Sequence, residues 1–293
     1  MEGQFRGTGV ALVTPFKKDQ TIDFEAFRRL VDHLIKSGVE YLVPLGTTGE
    51  TVTISKEERR EIFPFVAEAT ARRVPLVAGI GGNNTAEIIH GFGYYDLKGY
   101  QAILSVSPYY NKPSQEGIYQ HYRALGAASP LPIILYNVPS RTGSNITAET
   151  TLRIARDFPL IIGIKEASGN FDQVETIIRN RPKGFLVISG DDAITLPLVA
   201  LGGDGVISVV ANAFPVDFAE MTRLCLKGDF AAARPLHYKL VEIIHTLFEE
   251  GSPSGIKAYL SEMGLSENTF RLPVVPVSEK LHQKIRDLIR KYR

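Results

Sequence analysis

Eight short, β-branched apolar runs, each followed by a stretch of helical period, constrain this chain more than any other feature. The runs are Val10 to Val13, Tyr41 to Leu45, Leu76 to Ala78, Ala102 to Val106, Ile133 to Tyr136, Ile161 to Lys165, Leu186 to Ser189 and Val206 to Val209. They are apolar on both faces, as strands are when helices cover one side of a parallel sheet and packed side chains fill the other. Strands alternating with amphipathic helices predict repeated βα units, and eight such units close into an α/β fold of the (β/α)8 TIM-barrel type. Ser55-Lys56-Glu57-Glu58 predicts a capping box at a helix start, and Gly38 and Gly228 predict helix stops.

The strand pattern ends near Gly228, which predicts a barrel over 1–227 and a helical region over 228–293 packed on it. In the last segment Leu281, Ile285, Leu288, Ile289 and Tyr292 share one face, while Lys284, Arg286, Arg290 and Lys291 occupy much of the rest. That distribution predicts a solvated helix packed on neighbours. A chain of 293 residues suits one barrel with an appendix, and 44% hydrophobic residues supply the core. A net charge of +1 offers no broad attraction to nucleic acid or an anionic membrane, so a small molecule is the expected partner. The opening Met1-Glu2-Gly3-Gln4-Phe5-Arg6 has no basic-then-apolar signal pattern, and no run approaches the ~20 apolar residues of a membrane span. Cytoplasm is the expected compartment. Cys225, the only cysteine, is expected to be a buried hydrophobe without a chemical role.

Barrel enzymes place their chemistry at the C-terminal ends of the strands. Here those ends are polar: Gly46-Thr47-Thr48-Gly49-Glu50, Ser107-Pro108-Tyr109-Tyr110-Asn111, Tyr136-Asn137-Val138-Pro139-Ser140-Arg141-Thr142-Gly143, Lys165-Glu166 and Gly190-Asp191-Asp192. Lys165 is the sharpest of them, because it follows Ile161-Ile162-Gly163-Ile164 in a strand that should point some side chains inward. It could snorkel or pair with Glu166. Alternatively, a desolvated lysine with a lowered pKa can attack a carbonyl as the free amine. Hydroxyls from Tyr136, the Tyr109-Tyr110 pair and Thr47-Thr48 would then suit the repeated proton transfers of Schiff-base chemistry. Taken singly, each tyrosine could be a packing residue and the threonines could cap a helix. The six histidines, His33, His90, His121, His237, His245 and His282, fall in helical stretches, so no metal site is expected.

In order and spacing, Gly46 to Glu50, Tyr136 to Gly143 and Gly163 to Ser168 resemble the dihydrodipicolinate synthase and N-acetylneuraminate lyase family. The match extends through Pro108-Tyr109-Tyr110-Asn111, Ser189 to Asp192, Gly205 to Ser208 and Arg271-Leu272-Pro273. The resemblance implies that Lys165 forms an imine with pyruvate and that Thr47 and Thr48 bind its carboxylate. Tyr136 would relay protons through Thr48 to Tyr110, which would reach across from a neighbouring subunit. Ile207 would line the pyruvate site, Gly190 and Asp191 would border the cleft, and no cofactor would be needed beyond the covalent imine. Arg141 stands where sialate lyases carry an apolar residue, and a guanidinium there can bind the carboxylate of L-aspartate 4-semialdehyde. That favours condensation of the two substrates, a step of lysine and diaminopimelate biosynthesis, over a sugar-aldehyde lyase. A homotetramer built as a dimer of dimers is the implied assembly.

The same resemblance implies an effector site for lysine at Asn83, Glu87 and Tyr109. Lys56 and Arg59 stand there in place of the histidines of sensitive members, which predicts weak inhibition or none. Ser252 and Ser254 flank Pro253 and depart from the family's usual pattern. Their distance from Lys165 in sequence predicts an effect on loop detail and subunit contacts more than on the reaction.

Overall fold

The computed structural model describes residues 3–292. Its eight strands are β1 (Gly7–Ala11), β2 (Tyr41–Val43), β3 (Val77–Gly79), β4 (Ala102–Val106), β5 (Ile133–Asn137), β6 (Ile161–Glu166), β7 (Leu186–Ser189) and β8 (Gly205–Ser208). All pair in parallel, in the order β2-β1-β8-β7-β6-β5-β4-β3. The remaining gap closes where Leu42 bridges to Leu76 and the amide of Gly79 donates to the carbonyl of Pro44 at 3.0 Å. The predicted TIM barrel is the observed fold.

The helices are α1 (Phe24–Lys36), α2 (Lys56–Thr70), α3 (Thr85–Tyr94), α4 (Gln115–Ala128), the short α5 (Pro139–Thr142), α6 (Ala148–Asp157), α7 (Phe171–Asn180), α8 (Thr195–Ala200), α9 (Pro215–Leu226), α10 (Phe230–Phe248), α11 (Ser254–Glu262) and α12 (Glu279–Tyr292). Ser55 and Glu58 form the expected capping box on α2, and Gly38 and Gly228 follow α1 and α9 in the left-handed conformation. Past α9, α10 lies against α9, and α11 and α12 pack on α10. On α12, Leu281, Ile285, Leu288 and Ile289 are buried, while Lys284 and Lys291 reach Glu249 and Glu242 at 2.7 and 2.9 Å. No helix of the described residues is long and apolar enough to cross a membrane.

Two strands sit earlier than their apolar runs predict. β1 ends at Ala11 because the amide of Val13 bonds to the side chain of Asn212 at 3.3 Å instead of continuing the ladder. It begins at Gly7, where small residues hide the strand from a hydrophobic count. A side chain at Gly9 would lie 2.1 Å from the Tyr41 ring, so only glycine lets the two approach. β8 ends at Ser208, and Val209 already has helical backbone angles at the start of a 3-10 turn.

Two apolar layers follow from the alternation along the strands. Ala11, Tyr41, Val43, Val77, Leu104, Ile134, Tyr136, Ile188 and Ile207 belong to the interior cluster. Val10, Leu42, Ala78, Ile103, Ile133, Leu135, Ile164, Val187 and Val206 join the larger cluster shared with the helices. Cys225 is one of these buried residues, and burial raises its thiol to about 11. It is a hydrophobe in a dry layer.

Candidate active site

The pairing register between β5 and β6 sets the centre of the site. Tyr136 lies opposite Lys165, and Asn137 lies opposite Glu166. Successive side chains of a strand point to opposite faces. Tyr136 and Lys165 therefore face the barrel axis, while Asn137 and Glu166 face the helices. Lys165 is 5% exposed, and its Nζ sits 4.3 Å from the centre of the Tyr136 ring. Glu166 does not pair with it. Its carboxylate instead accepts bonds from Asn137 Nδ2 at 3.0 Å, Gln173 Nε2 at 3.0 Å and the Ser168 amide at 2.6 Å. The alternative of a lysine neutralised by its chain neighbour is thereby removed.

A cavity of about 530 Å³ opens above Lys165 at the C-terminal mouth, lined by Thr47, Thr48, Tyr136, Arg141, Gly190 and Asp191 among others. Six of the residues singled out in the sequence besides Lys165 thus meet in one space. Gly190 admits the lysine: a Cβ there would lie 2.7 Å from that of Ala167 and 3.1 Å from Lys165 Cε. Thr47 and Thr48 belong to a 3-10 turn, Thr47–Gly49, and do not cap α2, whose cap is Ser55. Thr14 fixes that turn by donating its hydroxyl to the carbonyl of Gly49 at 2.7 Å.

Ile207 is buried in the interior below the cavity, and on the same chain segment it is Val209 that lines the wall. Behind the wall, Asp192 accepts bonds from the amides of Val209 and Val210 at 3.1 and 2.9 Å, and burial raises its carboxyl to about 6. Tyr110 is not among the residues lining its own chain's cavity. It is 89% exposed with a left-handed backbone, φ 71°.

Ser252 lies closer to the candidate site than its distance in sequence suggests. Although 87 residues from Lys165 in sequence (252 − 165), it lines the same cavity, and its carbonyl accepts a bond from the Arg141 guanidinium at 3.3 Å. The departure at this position therefore borders the cavity that holds Lys165. Ile244, His245 and Phe248 of α10 and Glu249 at its C-cap complete that wall. Sequence reasoning missed all four, since nothing in an amphipathic helix marks which turn will overhang a distant strand end.

The five residues of the expected effector site also come together. Lys56, Arg59, Asn83, Glu87 and Tyr109 line a second cavity of about 510 Å³, which shares Thr47, Val138 and Arg141 with the first. Lys56 Nζ stands 3.7 Å from the Glu87 carboxylate. The Arg59 guanidinium donates to the carbonyls of Thr51 and Ile54 at 2.6 and 3.1 Å.

A closed parallel barrel with a polar cavity at its C-terminal mouth and a buried lysine at its floor defines a (β/α)8-barrel enzyme. Residues 4–292 match the model of the dihydrodipicolinate synthetase family, and the chain belongs to that family. It is 53% identical over 285 residues to the 4-hydroxy-tetrahydrodipicolinate synthase of Parabacteroides distasonis, covering 97% of this chain and 96% of that one. The crystal structure of dihydrodipicolinate synthase from Thermotoga maritima superposes with a TM-score of 0.96 at 40% identity, covering 99% of each chain. A monomeric dihydrodipicolinate synthase variant gives a TM-score of 0.96 at 39% identity over 99% of this chain and 97% of that one.

Proposed function

We propose that this protein is a 4-hydroxy-tetrahydrodipicolinate synthase, a lyase that condenses pyruvate with L-aspartate 4-semialdehyde on Lys165. The observation that carries this reading is the single cavity holding Lys165, Tyr136, Thr47, Thr48 and Arg141. The neutral amine of Lys165 adds to the keto carbon of pyruvate, and loss of water leaves an imine. In its protonated form the imine withdraws electrons, so loss of a methyl proton gives an enamine, whose carbon attacks the aldehyde. The α-amino group of the second substrate then displaces Lys165, closing the ring and freeing the enzyme. The imine is itself the electron sink, so the sequence of steps calls for no separate cofactor.

The roles that the family resemblance implies are supported by where these side chains lie. Thr47 and Thr48 would bind the pyruvate carboxylate, and Tyr136, whose ring lies against Lys165 Nζ, would exchange protons with the carbinolamine. The Arg141 guanidinium, bonded among the described residues only to the Ser252 carbonyl, has donors left for the second carboxylate. An apolar residue in its place would suit a sugar aldehyde, so the charge at Arg141 favours aspartate semialdehyde over N-acetylmannosamine. Exposed Tyr110 is suited to entering a neighbour's site, which calls for a dimer at least and is consistent with a tetramer of two such dimers. The reaction belongs to lysine and diaminopimelate biosynthesis, and we assign the protein to the cytoplasm.

Borohydride added with pyruvate should fix a reduced pyruvyl group on Lys165, readable by peptide mass, because reduction captures an imine and not a carbonyl held by hydrogen bonds. An adduct elsewhere, or none, refutes the mechanism, and Lys165→Arg should abolish it. Arg141→Ala should leave trapping intact while raising KM for the aldehyde roughly tenfold, the lower end for a charge-assisted bond at an exposed rim. Turnover of N-acetylmannosamine in preference to aspartate semialdehyde would overturn the substrate assignment.

A further inference from the structure

Lys257 is completely buried, although it belongs to α11, outside the eight βα units. It forms an ion pair with Glu50, whose side chain is 1% exposed, and donates to the carbonyl of Thr269 at 3.0 Å. The ammonium also lies 4.2 Å from the centre of the Phe16 ring and 5.0 Å from that of Phe270. A buried ion pair adds little net stability over apolar side chains of the same volume, because desolvation consumes most of the attraction. Such a pair does hold its partners in one geometry.

That geometry belongs to the turn carrying Thr47 and Thr48. Glu50 closes the 3-10 turn Thr47–Gly49 and opens the next, Thr51–Thr53, with φ 54° and ψ 33°. A residue with a side chain takes this left-handed conformation when its surroundings impose it. The surroundings here come from the far end of the chain. Lys257 holds one carboxylate oxygen of Glu50, and the amide of Arg271 reaches the other at 3.4 Å. The Arg271 guanidinium bonds the carbonyl of Thr53 at 3.0 Å and the two oxygens of Glu58 at 2.7 and 2.5 Å.

We propose that Lys257 is a positioning residue for the pyruvate subsite: through Glu50 it holds the left-handed bend that sets Thr47 and Thr48 on the cavity wall facing Lys165. It touches no substrate. The inference rests on the pyruvate chemistry proposed above and extends the determinants of that subsite to α11.

The test removes both charges together, so that no unpaired ion is left buried. In Glu50→Gln combined with Lys257→Met, the barrel should retain its circular dichroism and its state of assembly. KM for pyruvate and the pyruvate concentration giving half-maximal borohydride trapping should rise roughly tenfold or more. KM for the aldehyde at saturating pyruvate should change by less than about threefold. An unchanged pyruvate dependence overturns the proposal. So does an unfolded variant, or an equal rise in both constants, because either outcome makes the pair a general structural element. If the parent protein traps no pyruvate, the reading of the site itself fails, and that result is distinguishable from all the others.

Discussion

Gly190 shows how an absent side chain can permit chemistry next to it. The methyl of Gly190→Ala would press on the Cβ of Ala167 and on Lys165 Cε, at 2.7 and 3.1 Å. Overpacking of this kind costs about 1 to 3 kcal/mol, and here it would be met in part by displacing the Lys165 side chain, the proposed nucleophile. Borohydride trapping should therefore slow by roughly ten- to a hundredfold with little loss of fold; an unaltered rate would mean that Lys165 has room to spare. His121 carries a different residue-scale prediction. It is 6% exposed, its Nδ1 lies 2.8 Å from Thr85 Oγ1, and burial holds its pKa down at about 4 against an ordinary 6.5. Between those values the unfolded chain binds a proton that the native protein does not. The associated stability, roughly 3 kcal/mol, is complete above pH 6.5 and is lost as pH falls toward 4. Asp192 works in the opposite direction: its carboxyl, raised to about 6 from 3.8, keeps a proton longer in the native state, so the fold loses stability as pH rises through that window. The two effects overlap, so His121 must be read by difference. The Tm of His121→Gln should gain on that of the parent as pH drops from 6.5 to 4, and a constant difference would contradict a buried neutral imidazole.

At the scale of elements, strand alternation divides the labour between β5 and β6. The inward pair Tyr136 and Lys165 face the cavity, and the outward pair Asn137 and Glu166 tie the two strands together through a buried carboxylate. Residues of α2 and α3 line the second cavity, where a lysine effector would have to bind. The carboxylate best placed to receive its ammonium, Glu87, already has Lys56 beside it. Arg59 adds a second permanent cation, held in place by two backbone carbonyls. Both Lys56 and Glu87 are more than half exposed, so their pairing contributes only about 0 to 1 kcal/mol. The greater effect is the repulsion that an incoming ammonium meets. Millimolar lysine should inhibit weakly or not at all, and Lys56→His with Arg59→His should increase sensitivity. Half-inhibition of the parent at submillimolar lysine would contradict the charge argument.

The whole molecule raises the question of what Tyr110 serves. Its ring is 89% exposed on a loop beside the second cavity, and Val52, 74% exposed, lines that cavity. Exposed aromatic and aliphatic groups near a cavity are common at subunit contacts. If Tyr110 completes a neighbour's proton relay, subunits carrying Tyr110→Phe and subunits carrying Tyr136→Phe should complement one another. A hybrid dimer would contain one site with both hydroxyls and one with neither. Co-refolded mixtures should therefore exceed either parent variant in activity; mixtures that never do so would place the whole relay within one chain.

The sequence by itself determined the barrel, because short continuous apolar runs alternating with a period-3.6 pattern are a local property that survives without knowledge of neighbours. It also marked Lys165, Tyr136 and the Thr47-Thr48 turn, since a polar residue at the end of an apolar run is conspicuous wherever the strand lies, whereas Arg141 stood out through the family resemblance. Strand ends were less legible. β1 gave up its last residues to a bond that the Val13 amide donates to the side chain of Asn212, 199 residues away. The cavity wall from α10 and Ser252 and the pairing of Lys257 with Glu50 were decided only by tertiary structure. Each depends on contact between segments far apart in the chain, and a helix or loop carries no local mark of the surface it will meet. Local periodicity specifies which face of an element is buried; packing alone specifies against what.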